Sequence, residues 1–468
     1  MSIKKTSLSF GLAALLCGVG AGQVRAEETW KTLTLQPTGA VIDSNPMQGF
    51  YGWEGPGIVP TATPSTEHYF RVTWAEIEPR EGVYDFSRLD QALAKAGPAG
   101  RIAFGVMTMD TCCSQPDGVD VPSYLKDRPS KGFWIDGDAS SKASHVFVPD
   151  WNDPFFLTRW QALWAAIGAR YDGDARIAWV DLRGYGNWGE GHLAGANAYH
   201  WSQIPYNDPK VNVKDAQPGT EASRFAIVDA IANALPNTRL ISMTDDKAVL
   251  VHALKLTRAL PVGMKRDSWG SLWFASGFAP DTMSAEDRAF VLDRWKTAPL
   301  VVESYGWTKV FEAGLDGITG QIEAYHVSAI GNGGFNVNTW GQLSKEQQAA
   351  LIKAGNRAGY RYVPATVRWR STVSCPLEVA IEWRNDGVAP AYDSWQIEVS
   401  ATDGDASSVA LPMILPGETQ TTNSCLKFGR SPLRLRVSDA RNSLRVMTLP
   451  LAEGDAKTGY SLGRLDSR

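Results

Sequence analysis

Dense basic clusters, metal-ligand spacings and long apolar runs are what this 468-residue sequence has little of. Its formal net charge is −4 at pH 7, with 46 Lys and Arg against 50 Asp and Glu. No stretch concentrates Lys or Arg, so nucleic acid or another polyanion is not expected as a partner. The six histidines are scattered, with no pair at an HxxxH-type spacing, so no metal is expected. Beyond the first 26 residues no run is long and apolar enough to span a membrane. The glycine cluster "GNGGFN" (331–336) lacks the strand-to-helix placement of a phosphate loop and reads as the exit turn of a strand.

The first 26 residues read as a signal peptide. Lys4 and Lys5 precede the apolar run "LSFGLAALLCGVGAG", and "VRA" places cleavage after Ala26. The mature chain is therefore expected to be secreted or periplasmic, and its charge becomes more negative once Lys4, Lys5 and Arg25 are gone. Of the remaining cysteines, Cys375 and Cys425 are expected to pair in an oxidising compartment. Cys112 and Cys113 are adjacent, and the sequence leaves open whether they form a vicinal disulfide or stay reduced.

What is abundant is tryptophan, 18 in all, most of them before residue 341. Large cores use some of these, and sugar-binding clefts use others, because an indole face stacks on the apolar face of a pyranose. From residue 45 to about 360, short apolar runs alternate with amphipathic stretches. Strands are expected at 49–54, 68–74, 101–108, 177–186, 239–246, 262–270, 299–306 and 325–332, with helices at 86–96, 154–171, 221–235 and 284–297. Eight strands alternating with helices predict a (β/α)8 barrel, a TIM barrel, over residues 27–362. From 363 to 468 the pattern changes to period two with Gly, Pro and Asn at the turns. That predicts an all-β, immunoglobulin-like sandwich stapled by Cys375 and Cys425.

Polar residues gather where the predicted strands end. The fourth runs into "VDLRGYGNWGEGH" (180–192), in which Asn187, Trp188, Glu190 and His192 sit among glycines. The seventh, "PLVVESYG", carries Glu303 behind Val301 and Val302. A carboxylate there is costly to bury unless it is paired or performs chemistry, and a salt bridge to Lys265 or Arg266 is the plainer alternative.

The stretch "YFRVTWAEIEPREGVYDFSRLDQALAKA" (69–96) resembles the second βα unit of clan A glycoside hydrolases, and is especially similar to the family 42 and family 35 β-galactosidases. Arg71, Trp74, Glu78, Pro79, Gly82, Tyr84, Asp85, Phe86, Leu89 and Asp90 carry the match. The layout of barrel plus C-terminal β-domain with "YGNWGEGH" also resembles a bacterial group known as domain of unknown function 4832. The clan resemblance implies a catalytic acid/base Glu after strand four and a nucleophilic Glu ending strand seven, positions on which Glu190 and Glu303 fall. One departure is that the clan places Asn directly before the acid/base, whereas Asn187 precedes Glu190 by three residues. Asp181 and Asp245 are the substitutes for the acid.

The resulting expectation is a retaining glycosidase that needs no cofactor and acts on an oligo- or polysaccharide, with β-galactoside-type substrates favoured by the resemblance alone. Trp53, Trp74, Trp188, Tyr305, Trp307 and Trp340 are candidate stacking platforms, with core packing as the alternative for each. Asn187, Asp245 and His192 are candidate hydroxyl contacts. Arg71 lies within a strand and is expected either to bind substrate or to orient Glu303. The rival readings are a polysaccharide-binding envelope protein that kept the barrel without the reaction, and an inverting or endo-acting glycanase.

Overall fold

The computed structural model describes residues 29–39, 42, 45–53, 66–112, 115–128, 132–136, 143–193, 218–278, 283–304, 306–331, 337–401, 404–427 and 432–463. The expected signal segment, Glu54, Cys113 and Tyr305 lie outside them.

Strand β1 (Lys31–Thr34) precedes the barrel in sequence but pairs elsewhere. The barrel strands begin with β2 (Gly49–Trp53), β3 (Glu67–Thr73) and β4 (Arg101–Met107). A hairpin of β5 (Gly132–Asp136) and β6 (His145–Pro149) follows. The barrel resumes with β7 (Ile177–Leu182), β8 (Leu240–Met243), β9 (Gly263–Arg266), β10 (Leu300–Glu303) and β11 (Ala329–Gly331). These eight pair in parallel and close, β11 returning to β2. Each of the eight stretches read as strands from the sequence overlaps one of these barrel strands, most of which are shorter than expected because the chain turns sooner at the polar end. β4, β7, β8, β9, β10 and β11 are buried along their whole length, which is why they read as near-continuous apolar runs rather than alternating ones.

The helices are set by their ends and their stripes. Pro154–Tyr171 starts where the Asp153 side chain accepts from the Phe155 N–H, with Pro154 in the first turn, where no hydrogen bond is lost. Its Phe156, Trp160, Leu163, Trp164, Ile167 and Tyr171 recur every three or four residues and are buried in the shell between strands and helices. A second, smaller core fills the barrel interior, where Tyr51, Tyr69, Trp179, Ile241 and Val301 meet. Among the described residues no helix is long and apolar enough to cross a membrane.

The C-terminal region is antiparallel. β12 (Tyr362–Arg370), β13 (Leu377–Asn385) and β16 (Thr419–Leu426) form one sheet, with β1 on its edge. β14 (Trp395–Ala401), β15 (Ala406–Leu411), β17 (Leu433–Asp439), β18 (Asn442–Val446), β19 (Gly454–Asp455) and β20 (Gly459–Ser461) form the other. Val379, Ile381 and Trp383 of the first share one core with Trp395, Ile397, Leu435 and Val437 of the second. Cys375 and Cys425 are disulfide-bonded.

The two regions meet at the ends of the barrel strands opposite the polar mouth. Arg101, fully enclosed at the start of β4, bonds Glu67 at 2.6 Å and Asp393 at 2.7 Å, and Arg239 reaches Asp393 at 3.2 Å. Burial disfavours the Asp393 carboxylate, but Arg101 and Arg239 outweigh it and hold its pKa well below the usual range.

Candidate active site

Successive side chains of a strand point to opposite faces, so residues two apart stack on the same face. Inside the barrel this builds layers. Tyr51, Tyr69, Trp179 and Val301 belong to the interior core. Two residues further toward the strand ends come Trp53, Arg71, Asp181 and Glu303, and beyond Asp181 comes Arg183. On β9 the same step leads from Lys265 to Asp267. The apolar interior is the floor, and a charged layer is set on it.

The floor of that layer is Asp181, wholly enclosed. It accepts from the Tyr69 hydroxyl at 2.7 Å, the Trp179 indole at 3.0 Å and Arg183 Nε at 3.1 Å, and Lys265 Nζ lies at 3.3 Å. Burial opposes its ionisation, yet Lys265 and Arg183 keep its pKa below the usual carboxylate value. Asp181 is therefore part of the scaffold rather than a substitute acid. Lys265, also enclosed, lies 3.4 Å from Glu303 Oε2 and 3.8 Å from the Tyr69 ring centroid. Burial would lower its pKa, and Asp181 with Glu303 raise it well above the ordinary lysine value.

Above this floor Glu190 and Glu303 converge. Arg71 donates to Glu190 Oε1 at 2.6 Å and to Glu303 Oε1 at 3.2 Å. Glu303 also accepts from the Trp53 indole at 3.0 Å, while Arg183 bonds Glu190 at 3.1 Å and His192 Nε2 stands 3.4 Å from its other oxygen. Burial works against the Glu190 carboxylate, but Arg71, the hydrogen bond from His192 and Arg183 together hold its pKa well below the usual range. Of the two bases expected to compete for Glu303, Lys265 is close, whereas Arg266 pairs with Asp245 at 3.0 Å.

The glycine-rich stretch places Glu190 by doubling the chain back. The Asn187 N–H donates to the His192 carbonyl at 2.8 Å, and a Cβ on Gly186 (φ 81°) would sit 2.4 Å from that carbonyl oxygen. Only glycine fits there. Trp188 has φ 55°, a left-handed value uncommon for an aromatic residue, and its carbonyl accepts from Arg183 at 2.5 Å. Asn187 is itself buried. Its Oδ1 accepts from the Thr111 N–H at 3.0 Å and its Nδ2 donates to the Thr111 hydroxyl at 2.9 Å, so it clamps two loops together instead of facing a sugar.

The aromatic candidates divide. Trp53 stays at the mouth beside Glu303, with Arg71 4.7 Å from its ring centroid. Trp188 is half-buried, edge-on to His192 with its indole N–H toward Cys112 Sγ at 3.3 Å. Trp74 is fully buried against Phe156 and Trp160, its indole N–H bonded to Glu78 at 2.7 Å; it packs the shell outside the barrel. Trp307 and Trp340 pack half-buried against the same shell.

Asp267 is the residue that motif reasoning passed over. Glu190, Asp267 and Glu303 each offer a carboxylate oxygen within 4.8 Å of the other two. Asp267 Oδ1 is buried with no hydrogen-bond partner among the described residues, and Ser268 beside it has φ 68°. Burial, then Glu190, Glu303 and Asp245, push the Asp267 carboxyl well above the usual range, with Lys265 the opposing influence. Its signal in the sequence is the two-residue step from Lys265, the same step that carries Val301 to Glu303. Arg71 and Lys265 stand against this trio as cations.

No family model matches the chain, and no curated protein matches it. Among solved structures, it is similar to an iminocyclitol complex of endo-glycoceramidase II from Rhodococcus sp., at TM-score 0.40 and 13% identity over 84% of this chain and 99% of that one. The catalytic domain of β-amylase from Paenibacillus polymyxa aligns at TM-score 0.36 and 13% identity, covering 68% and 100% of the two chains. An endogalactoceramidase aligns at TM-score 0.35 and 13% identity, covering 84% and 96%. Likenesses this distant assign no activity; the barrel rests on its own strand pairing.

Proposed function

We propose that this protein is a glycoside hydrolase that works by double displacement, with Glu303 as nucleophile and Glu190 as acid/base. The observation that carries the reading is the approach of the Glu190 and Glu303 oxygens to within 4.8 Å of each other over one barrel mouth. Retaining enzymes hold their two carboxyl groups about 5 Å apart, whereas inverting enzymes need roughly 6.5–9.5 Å to admit a water. Glu303 attacks the anomeric carbon while Glu190 protonates the glycosidic oxygen. Glu190 then takes a proton from the water that releases the sugar. Arg71 bonds both carboxyl groups and fixes their relative position.

The substrate in this reading is an oligo- or polysaccharide whose ring stacks on Trp53 and Trp188. β-Galactosides are favoured by the resemblance of residues 69–96 to family 42 and family 35 enzymes. Export, cleavage after Ala26 and an immunoglobulin-like assignment for the C-terminal sheets belong to the same proposal, as does a division between residues 362 and 363. The test is a screen of the protein on aryl glycosides and polysaccharides beside Glu190→Gln and Glu303→Gln. Hydrolysis abolished in Glu303→Gln supports the reading; hydrolysis undiminished in that variant ends it.

A further inference from the structure

Among the described residues, each acid of the charged layer other than Asp267 has a cationic partner. Arg71, Arg183 and Lys265 stand against Asp181, Glu190 and Glu303, and Arg266 is paired with Asp245. Asp267 is in no ion pair among the described residues. It faces Glu190 from the loop after β7, Glu303 at the end of β10 and Asp245 after β8, with Lys265 on β9 just before it and Arg71 on β3 as the cations around it. Two carboxylates with oxygens within 4.8 Å of each other favour keeping one proton between them. Glu190 is ill-suited to be its resting place, because Arg71 and Arg183 donate to its Oε1 and His192 stands against its Oε2. Asp267 has a buried oxygen with no hydrogen-bond partner among the described residues.

We propose that Asp267 holds, in the resting site, the proton that Glu190 delivers, so that the two side chains share one proton through the cycle. This rests on the glycosidase reading and extends it. In the first half, the Asp267 O–H bond breaks as an O–H bond forms on Glu190. Glu190 then passes the proton to the glycosidic oxygen. The C1–O bond breaks with its electron pair going to that oxygen, and Glu303 bonds to C1. In the second half, a water O–H bond breaks with its proton going to Glu190, and the water oxygen bonds to C1. The bond from C1 to Glu303 breaks with its electrons returning to the carboxylate, and the proton moves back to Asp267. Asp267 is a positioning residue in this scheme, acting through Glu190.

The experiment is a comparison of Asp267→Asn with wild type on glycosides with poor and with activated leaving groups across a pH series. Loss of the shared proton slows poor leaving groups by about 10²-fold. Activated dinitrophenyl glycosides, which need no acid for departure, are slowed far less, and the alkaline limb of the profile moves to lower pH. A variant that slows both substrates equally with an unmoved profile, or one that matches wild type on both, overturns the inference while the glycosidase stands. A wild type that cleaves no glycoside sinks the glycosidase reading and the inference with it. A second measurement needs no activity: with ¹³C-carboxyl-labelled aspartate, one resonance titrates well above the ordinary carboxylate range in wild type and is missing from Asp267→Asn. If every aspartate titrates in the ordinary range, the inference fails.

Discussion

At the scale of single residues, charge decides what each acid contributes. Glu190 has a depressed pKa, so its carboxylate adds stability that is fully present above its ordinary value of 4.5 and is lost as pH falls through the folded-state value. Glu190→Gln is expected to unfold at lower temperature at pH 7, since Arg71 and Arg183 lose a partner, and to lose less on acidification. Thermal melts across a pH series check both. Asp267 has the opposite sign. Its pKa is raised, so stability falls as pH climbs from its ordinary value of 3.8 through the folded-state value. Asp267→Asn is therefore expected to melt higher than wild type, by a margin that widens with pH. A variant less stable than wild type at pH 8 contradicts this.

At the scale of elements, strand period does most of the placing. The Cβ of an alanine at position 105, in the middle of β4, would lie 2.4 Å from Arg183 Cδ, so this glycine is what lets Arg183 lie across the barrel toward Glu190. Gly105→Ala is expected to cost roughly 1–3 kcal/mol of stability and to lower kcat by at least about tenfold through the displaced guanidinium. Denaturant melts and kinetics on one substrate separate the two effects, and full activity would show that Arg183 does not help to place Glu190. The same period explains what was readable in advance. The eight strands were visible because buried parallel strands leave apolar runs between amphipathic helices, and Glu303 because a carboxylate closed such a run. Asp267 was not, because within the expected stretch 262–270 it follows Lys265 and Arg266 in a polar run and gains meaning only when β9 is set beside β10. Arg183 was hidden for the same reason. Trp74 looked like a platform because a strand end is where platforms occur, but the chain turns there into the helix Trp74–Ile77 and carries the indole outside the barrel. Nor did any local pattern show that Lys31–Thr34 would pair with β12, since that contact joins chain segments more than three hundred residues apart.

At the scale of the whole molecule, the barrel is tied at its far end to the C-terminal sheets through Arg101, Glu67, Arg239 and Asp393. Removing one partner of a buried ion pair leaves the other uncompensated, so Asp393→Ala is expected to destabilise by roughly 3–5 kcal/mol. Its acid sensitivity also changes. The depressed Asp393 pKa supplies stability above about 3.8 that wild type loses as pH falls and the variant never had. Denaturant unfolding followed at both ends of that range measures it. None of this reaches the proposed chemistry, which depends on the Glu190 and Glu303 carboxyl groups meeting at the barrel mouth. A panel of 2-deoxy-2-fluoroglycosyl fluorides, followed by mass spectrometry of the digested protein, tests that most directly. The account predicts a single glycosyl adduct on the peptide that contains Glu303, absent from Glu303→Gln. An adduct on another carboxyl group, or turnover that inverts the anomeric centre without labelling, would contradict it.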